Sequence, residues 1–254
     1  MKLAACGITF AYGSQPVLHE VSFSAGPEAV VGIFGPNGSG KTTLLRCLSG
    51  ELAPQRGEVL LAGRPVRAYP LRERARQVAV VAQDLPTDIP FSALEVVLLG
   101  RYPHLGLWGE ETDRDRCAAR AALEETGAWA LRERPFRELS GGERQRVMIA
   151  KALAQEPRVL LLDEPALHLD VAHQVELYEL LRHLARDDGL CVAAVCHDLF
   201  LAPAYLDRAV LLADGHCVGD GSPREVLTRS ALQEVFGVAR LPPPEAMLPA
   251  LWAT

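Results

Sequence analysis

Hydrophobic and polar residues follow distinct local patterns along this chain. Leu3–Tyr12 and Leu18–Ser24 alternate apolar with polar residues, which is typical of antiparallel strands that bury one face. Ala29–Phe34 is apolar throughout except at Gly32, as in a strand covered on both faces. Helical character follows in Thr42–Leu52. The first third therefore predicts short β-strands followed by one helix.

The pattern changes between Asp84 and Arg137. Two prolines, Pro86 and Pro90, interrupt the chain at the start of this segment. The stretch Ser92-Ala93-Leu94-Glu95 is a capping-box pattern that opens an apolar helix, and Asp113–Thr126 reads as a charged amphipathic helix. We expect a helical subdomain inserted between the two halves of a sheet.

Strands and helices alternate in the remaining sequence, which indicates an α/β protein with a mainly parallel sheet. The remaining predicted strands are Glu58–Ala62, Val78–Ala82, Val159–Leu162, Cys191–Cys196 and Arg208–Ala213, and the later helices are Glu143–Gln155 and Ala172–Arg186. Asp214-Gly215 predicts a hairpin turn after the last of these strands. Three prolines follow Leu241, and the residues from Leu241 onward are expected to form a loosely ordered tail.

Composition narrows the class of protein. The 254 residues carry a net charge of -6, which argues against a broad nucleic-acid-binding face, and we expect no nucleic acid as partner. The six cysteines form no CxxC pair, as in a protein with reduced thiols. The longest apolar run, Leu190–Cys196, is far shorter than the roughly 20 residues of a membrane-spanning helix. Any action at a membrane would need a partner that holds the chain there.

A glycine-rich segment after the third strand fits the phosphate-binding pattern G-x-x-x-x-G-K-[ST]. Glycines allow successive backbone N–H groups to converge on phosphate oxygens, and the N-terminus of the following helix adds partial positive charge. Lys41 would reach the β- and γ-phosphates of a nucleotide, and the Thr42 hydroxyl would ligate Mg²⁺. The loop residues predicted to bind nucleotide are Gly35, Pro36, Asn37, Gly38, Ser39, Gly40, Lys41 and Thr42.

Two carboxylates end the apolar strand Val159–Leu162. Such a strand brings an acid beside the phosphate loop, where Asp163 would hold Mg²⁺ through water. Neighbouring side chains on a strand point to opposite faces, so Glu164 has a separate task if the chain turns there. The chemistry that suits it is orienting and deprotonating an attacking water.

A second glycine-rich helix entrance lies about a hundred residues after the first. Ser140-Gly141-Gly142-Glu143 matches a capping box, and by itself this pattern requires only a well-capped helix. Two glycines in the first turn also leave backbone N–H groups approachable, a geometry that binds anions. The entrance has a use if it covers the open γ-phosphate side of a nucleotide on this chain or on a second copy.

In order, the motifs GPNGSGKTT, Gln83, LSGGE, LLLDEP and His197 resemble the nucleotide-binding subunits of ATP-binding cassette transporters, up to about residue 225. The resemblance implies a P-loop NTPase core with a mainly parallel sheet, an antiparallel β subdomain and an inserted helical subdomain. It divides the chain into residues 1–84 (first part of the core), 85–138 (helical subdomain), 139–240 (signature helix and rest of the core) and 241–254 (tail). Two subunits of this family bind head-to-tail, so Ser140, Gly141 and Gly142 would face the ATP of the partner.

The resemblance assigns roles to five further positions. Tyr12 matches an aromatic residue that stacks on adenine, although it could be an ordinary tyrosine at a strand end. Thr43 would lie on the α-phosphate side, and Gln83 matches a glutamine that senses Mg²⁺ and the attacking water. His197 matches a histidine that contacts the γ-phosphate, and Asp170 matches an aspartate of the dimer contact. Catalysis would therefore depend on Glu164, His197 and Gln83.

The sequence departs from the family pattern at two places. Ala166-Leu167-His168 stand where small polar residues usually precede Leu-Asp, which puts the polar dimer contacts there in doubt. LSGGE replaces the common LSGGQ, and we expect little effect because glutamate also closes a capping box.

The segment Gly100–Gly106 resembles the same region in importers for iron–siderophores, haem and cobalamin, although it could merely end the helix that follows Ser92. The resemblance implies a type II importer subunit at the cytoplasmic face of the membrane. Its cofactor would be Mg²⁺ with ATP, and its partners a second copy and a permease bound near Gln83 and Gly100–Gly106. A substrate-binding protein would act indirectly. A permease-independent cassette ATPase of the cluster-assembly type stays open as the alternative.

Overall fold

The computed structural model describes residues 2–83, 90–106 and 109–237. Its strands are β1 (Leu3–Tyr12), β2 (Gln15–Ala25), β3 (Val30–Phe34), β4 (Arg56–Leu61), β5 (Arg64–Pro65), β6 (Val78–Val81), β7 (Val159–Asp163), β8 (Cys191–Val195), β9 (Arg208–Ala213) and β10 (His216–Gly221). Its helices are α1 (Lys41–Leu48), α2 (Leu71–Gln77), α3 (Ala93–Leu98), α4 (Asp113–Glu125), α5 (Gly141–Ala154), α6 (Val171–Arg186), α7 (Pro223–Val226) and α8 (Arg229–Phe236). Short 3₁₀ turns cover Val66–Ala68, Leu99–Arg101, Trp129–Leu131, Phe136–Glu138 and Ala202–Ala204.

The first sheet is antiparallel, with strand order β2-β1-β4-β5. Strands β1 and β2 form a hairpin whose register pairs Leu3 with Ala25 and Tyr12 with Gln15. Buried and less buried residues alternate through much of both strands, because one face packs on the core and the other does not. The antiparallel arrangement predicted from the period-two pattern is therefore confirmed.

The second sheet has the order β10-β9-β3-β8-β7-β6. All neighbours from β9 to β6 are parallel, and only β10 is antiparallel. Strands β3, β7 and β8 are buried at every residue, as expected for strands covered on both faces. Asp214 and Gly215 make the turn between β9 and β10 with φ of 45° and 76°, the left-handed values of a two-residue hairpin loop. The predicted α/β class with a mainly parallel sheet is confirmed.

Helices α3 and α4 lie between β6 and β7 in the sequence and share a separate apolar cluster with α5, in which Val96, Leu123, Phe136 and Val147 are fully buried. Both insert helices begin with capping boxes, in which a hydroxyl and a carboxylate satisfy N–H groups that have no partner inside the helix. Helix α5, which begins at the LSGGE motif, is the signature helix. Because it belongs to this cluster, it packs with the inserted helices α3 and α4 as one unit.

Some elements differ from the sequence-based expectations. Helix α1 ends at Leu48 rather than Leu52, because Gly50 adopts a φ of 76°, a left-handed conformation that terminates helices. Helix α2 was not predicted, and it has no buried residue, so its sequence carries no apolar stripe. The predicted tail at 241–254 lies outside the described residues. No helix in the described part of the chain is both long and apolar enough to cross a bilayer.

Candidate functional site

Four adjacent strands of the parallel sheet bring the candidate residues together. Sheet order places β3, β8, β7 and β6 side by side, so their carboxyl ends meet at one edge. The phosphate loop follows β3, and His197 follows β8. Asp163 ends β7, Glu164 comes directly after it, and Gln83 follows β6. Ligands of open α/β sheets bind outside the carboxyl ends of the strands. The candidate residues, far apart in the sequence, therefore converge where such a fold binds its ligand.

The phosphate loop needs glycine for steric reasons. Gly35 has a φ of 149°, and a Cβ there would lie 2.2 Å from the carbonyl oxygen of Leu212. Gly40, with a φ of 97°, precedes α1 and has no side chain to cap it. The first N–H groups of α1 therefore have neither an intrahelical nor a side-chain partner at the cap, and they suit a phosphate. The Ser39 hydroxyl is also buried, and it has no hydrogen-bond partner among the residues that the structure describes.

Lys41 lies across this loop. Its Nζ atom donates hydrogen bonds to the carbonyl oxygens of Gly35 at 2.9 Å and Pro36 at 2.8 Å. Burial lowers the pKa of Lys41, while the charges of Glu164 and Asp163 oppose that shift. The negative charge of a bound phosphate would likewise favour the protonated ammonium.

Thr42 and Asp163 form an oxygen-rich pair beside the loop. The Thr42 hydroxyl donates to Asp163 Oδ1 across 3.3 Å. Asp163 is only 6% exposed, and burial raises the pKa of its carboxyl, an effect that the Thr42 hydrogen bond opposes and the charge of Glu164 reinforces. A bound cation would offset the cost of this buried carboxylate. Hydroxyl and carboxylate oxygens are the donor types that Mg²⁺ prefers, so the residues fit that ion.

Glu164 occupies the turn that follows β7. Its φ of 51° rotates the backbone out of the extended conformation, so its side chain and that of Asp163 take different directions. One carboxylate oxygen, Oε2, accepts a hydrogen bond from Gln83 Nε2 at 2.9 Å. The other, Oε1, lies 2.5 Å from His197 Nε2. The structure thus brings together the three residues predicted to serve catalysis.

A cavity of about 860 Å³ opens over the phosphate loop and is lined in part by Lys41, Gln83, Glu164 and His197. Gln15, Val17 and Leu167 also line it, and no sequence motif predicted these three positions. Gln15 and Val17 could have been predicted, because they lie at the start of β2, directly after the turn that follows the predicted adenine-binding Tyr12. Asn37, Gly38, Gly40 and Thr42 of the loop also line the cavity, as does Thr43 in the first turn of α1.

Tyr12 lies at the end of β1, opposite Gln15 in the hairpin register. Its side chain is 45% exposed, and its ring meets that of Phe10 edge-on with centroids 4.9 Å apart. Tyr12 is therefore available to a ligand beside the cavity, although it does not belong to the cavity wall.

The second glycine entrance lies elsewhere on the molecule. Ser140 caps α5: its hydroxyl accepts from the N–H of Glu143 at 3.3 Å, and the Glu143 carboxylate accepts from the N–H of Ser140 at 2.7 Å. A Cβ at Gly141 would meet nothing within 4 Å, so the helix entrance is open. None of these residues is among the described residues that line the Lys41 cavity.

Asp170 caps α6 close to that entrance. Its Oδ1 accepts from the N–H of His173 at 2.9 Å and lies 2.7 Å from Nδ1 of the same histidine. The His173 ring packs against Gly142, where a Cβ would lie 3.1 Å from it. His173 therefore connects Asp170 to the second glycine entrance. His168, within the departure from the family pattern, adopts a φ of 64°.

The fold and the site define a class, the nucleotide-binding subunit of an ABC transporter. The chain belongs to the ABC transporter family, whose pattern matches residues 18–167. ATP-binding subunits of this family hydrolyse ATP to power transport, and this chain is such an ATPase subunit.

Three curated relatives are import or transport subunits. The hemin import ATP-binding protein HmuV of Pseudomonas putida is 44% identical over 237 residues, covering 91% of this chain and 91% of that protein. The ferric enterobactin transport ATP-binding protein FepC of Escherichia coli is 38% identical, covering 91% and 85%. The cobalamin import ATP-binding protein BtuD of Halobacterium salinarum is 41% identical, covering 93% of this chain, which spans 59% of that protein's length.

Two solved structures are also similar. A metal-chelate type ABC transporter in an inward-facing conformation superposes with a TM-score of 0.82 at 29% identity, covering 92% of this chain and 88% of that chain. MJ0796, an ABC transporter cassette solved as a dimer, gives a TM-score of 0.75 at 28% identity, covering 87% and 99%. Importer ATP-binding subunits work with a membrane permease, and a dimeric cassette is among the similar structures.

Proposed function

We propose that this chain powers a type II importer for a ferric siderophore, haem or cobalamin. The observation that carries its ATPase role is the convergence of Lys41, Asp163, Glu164 and His197 at one edge of the sheet. The substrate class is supported by HmuV, FepC and BtuD, whose names specify hemin import, ferric enterobactin transport and cobalamin import.

The nucleotide would lie along the loop, with its adenine on the exposed Tyr12 ring and its phosphates on the N-terminus of α1. The N–H groups that follow Gly40 would hold the phosphate oxygens, and Thr43 would face the α-phosphate side. Lys41 would exchange its two loop carbonyl partners for β- and γ-phosphate oxygens, which are charged and therefore stronger acceptors.

Magnesium would be held by Thr42 and, through water, by Asp163, with Gln83 beside them. When bound, the ion would neutralise charge on the β- and γ-phosphate oxygens. The close Thr42–Asp163 contact and the burial of Asp163 support this assignment.

Hydrolysis requires a water aligned with the γ-phosphate. Glu164 would orient this water and take its proton as the water oxygen bonds to the γ-phosphorus and the bond to the ADP oxygen breaks. His197 would contact the γ-phosphate, and Gln83 would help to position the water. Contacts of both residues with the Glu164 carboxylate support a shared task.

A second copy of the chain would complete each site. Ser140 and Gly141 are exposed, Gly142 is partly covered by the His173 ring, and the described lining of the Lys41 cavity includes none of the three. This entrance therefore suits a nucleotide bound by another subunit. Asp170 would contribute to the same dimer contact. The dimer of the similar cassette MJ0796 supports this arrangement.

Replacing Ser140 with arginine is expected to abolish ATP-driven dimerisation while leaving nucleotide binding by the monomer intact. The long cation would occupy the space into which the partner's γ-phosphate has to enter. Light scattering with Mg·ATP in a Glu164→Gln background measures the dimer. Ser140→Ala is the matched control: it removes the cap, at a cost of about 1 kcal/mol, but leaves the entrance open. A dimer formed by Ser140→Arg would contradict the cross-subunit role.

The permease would bind the helical subdomain at residues 85–138, near Gln83 and the segment Gly100–Gly106. Tyr102 in that segment is 69% exposed, and Leu99, just before it, is 46% exposed. Large apolar side chains at a surface suit a protein partner. Such a complex would place the chain at the cytoplasmic face of the membrane, with a substrate-binding protein acting indirectly.

Affinity capture of the tagged chain from its own membranes tests the importer proposal. We expect a polytopic membrane protein to co-purify, and the reconstituted complex to hydrolyse ATP faster when a ferric siderophore, haem or cobalamin is supplied with its binding protein. The alternative, a permease-independent cassette ATPase, predicts no membrane partner. The relatives do not favour that alternative, because they are import and transport subunits.

A further inference from the structure

Arg101 is the largest fully buried side chain in the described part of the chain. Only 1% of it is exposed, yet the next residue, Tyr102, is among the most exposed apolar residues of the structure. Burying a guanidinium is costly unless it is paired and hydrogen-bonded. The ATP site does not contain Arg101, so its burial needs a different explanation.

The guanidinium of Arg101 joins two elements that are distant in sequence. Its Nε donates to Asp115 Oδ1, on α4, at 2.9 Å. Its Nη1 donates to Glu156 Oε2 at 2.8 Å and to the carbonyl oxygen of Ala154, the last residue of α5, at 2.6 Å. The planar fork of arginine suits this task, because it fixes direction as well as charge.

Asp115 is itself held in place. Its second oxygen, Oδ2, accepts from the Thr112 hydroxyl at 2.6 Å and from the Thr112 N–H at 3.0 Å, closing the capping box of α4. These bonds and the Arg101 guanidinium lower the pKa of Asp115 to about 2, so it is ionised at neutral pH. Arg101 therefore bonds to a carboxylate whose orientation is fixed by Thr112.

Further contacts attach the same segment to the end of α5. Gly100 packs so closely that a Cβ would lie 2.1 Å from the carbonyl oxygen of Lys151. His104 Nε2 lies 2.8 Å from the carbonyl oxygen of Gln155, the residue that follows α5. Arg76 Nε, on α2, donates to the carbonyl oxygen of Pro103 at 2.9 Å and so ties the segment to another helix as well. The backbone of this segment is thus fixed to the last turn of α5 at several points.

The other end of α5 is the Ser140 entrance. A helix of these 14 residues is about 21 Å long and stiff. We propose that Arg101 is a positioning residue that makes α5 and the segment Gly100–Gly106 one rigid lever between the partner's nucleotide and the permease. The inference rests on the proposed function, since it takes the Ser140 end to meet ATP and the Tyr102 end to meet the permease.

We call the bonds of Arg101 to Asp115, Glu156 and the Ala154 carbonyl the Arg101 anchor. Hydrogen exchange of the isolated full chain tests whether this anchor holds the segment Gly100–Gly106 in place. Loss of charge-assisted hydrogen bonds should speed exchange of the amides at 99–106 by about tenfold in Arg101→Met and about threefold in Glu156→Gln, where a half-exposed partner is neutralised. Amides at the start of α5 should keep their rates. Arg116→Met, at an exposed arginine of α4, is the matched control and should change nothing. Unchanged rates at 99–106 in both variants would overturn the inference.

Permease-stimulated ATP hydrolysis tests whether the Arg101 anchor couples the permease to the ATP-facing end of α5. In the captured complex, Glu156→Gln should cut the stimulation of ATPase by the permease severalfold, roughly as the anchor weakens, while the intrinsic rate of the isolated subunit stays unchanged. Glu156→Asp, which keeps the charge, should restore part of the stimulation. If Glu156→Gln exchanges its amides at 99–106 faster but keeps the full stimulation of ATPase by the permease, the lever role of Arg101 is wrong. The importer proposal would be unaffected by that result. If no permease is captured, the importer proposal fails, whereas the exchange result still decides whether Arg101 fixes the segment.

Discussion

Glu164→Gln is expected to lower the steady-state ATPase rate by about 10²–10⁴-fold, the range typical of losing a general base. The amide has the size of the carboxylate but cannot accept the proton of the attacking water. Binding should persist, because Lys41, the loop and Thr42 are untouched. With Mg·ATP the variant should therefore accumulate as a dimer that hydrolyses its nucleotide very slowly. Phosphate release and size-exclusion chromatography measure the two effects.

Glu179→Gln provides the matched control for this experiment. Glu179 is an exposed residue of α6, and the same chemical change there should leave both the rate and the monomer–dimer equilibrium as in the original chain. A Glu164→Gln variant that turns over at close to the original rate would show that another group deprotonates the water.

Lys41→Ala is expected to weaken ATP binding by about 100-fold, which corresponds to about 2.7 kcal/mol. The ammonium is the buried cation of the loop, and charge-assisted hydrogen bonds to phosphate are strong in such surroundings. Fluorescence titration with a labelled nucleotide measures the affinity, and the hydrolysis rate should fall with it at limiting ATP.

Lys2→Ala controls for the loss of a lysine, because Lys2 is exposed and lies outside the site. Lys41 also bonds to two carbonyl groups of its own loop, so alanine could loosen the loop itself. Thermal melting without nucleotide separates the two effects, since a loosened loop lowers the melting temperature and a lost phosphate contact does not. ATP affinity unchanged by Lys41→Ala would contradict the phosphate-loop assignment.

The two expected effects report on different residues of one site. Lys41 acts on the bound nucleotide before and during reaction, whereas Glu164 acts on the water only as it attacks. A variant that binds without turning over and a variant that does not bind would together separate these roles. The contact of Glu164 with both Gln83 and His197 predicts that substitutions at these three positions combine non-additively.

Much of the fold followed from local sequence patterns. The period-two alternation of Leu3–Tyr12 and the continuous apolar run at Val159–Leu162 gave the strands that the structure contains. Capping boxes at Ser92 and Ser140 gave helix starts that it also contains. Helix α2 escaped prediction because it buries no side chain, so its residues needed no apolar stripe.

What the sequence determined by itself was therefore what neighbouring residues decide: the strands, the caps, and a phosphate loop whose groups are contiguous in the chain. Tertiary structure alone decided that β6, β7 and β8 lie side by side with β3, which brings Gln83, Glu164 and His197 into contact across gaps of 81 and 33 residues. It also decided that Arg101 is buried against α4 and the end of α5. The physical reason is that strands from distant parts of the sequence take their order in the sheet from the apolar surfaces that they bury against each other. A buried charge likewise needs a partner that the fold brings to it. Local sequence patterns specify neither choice.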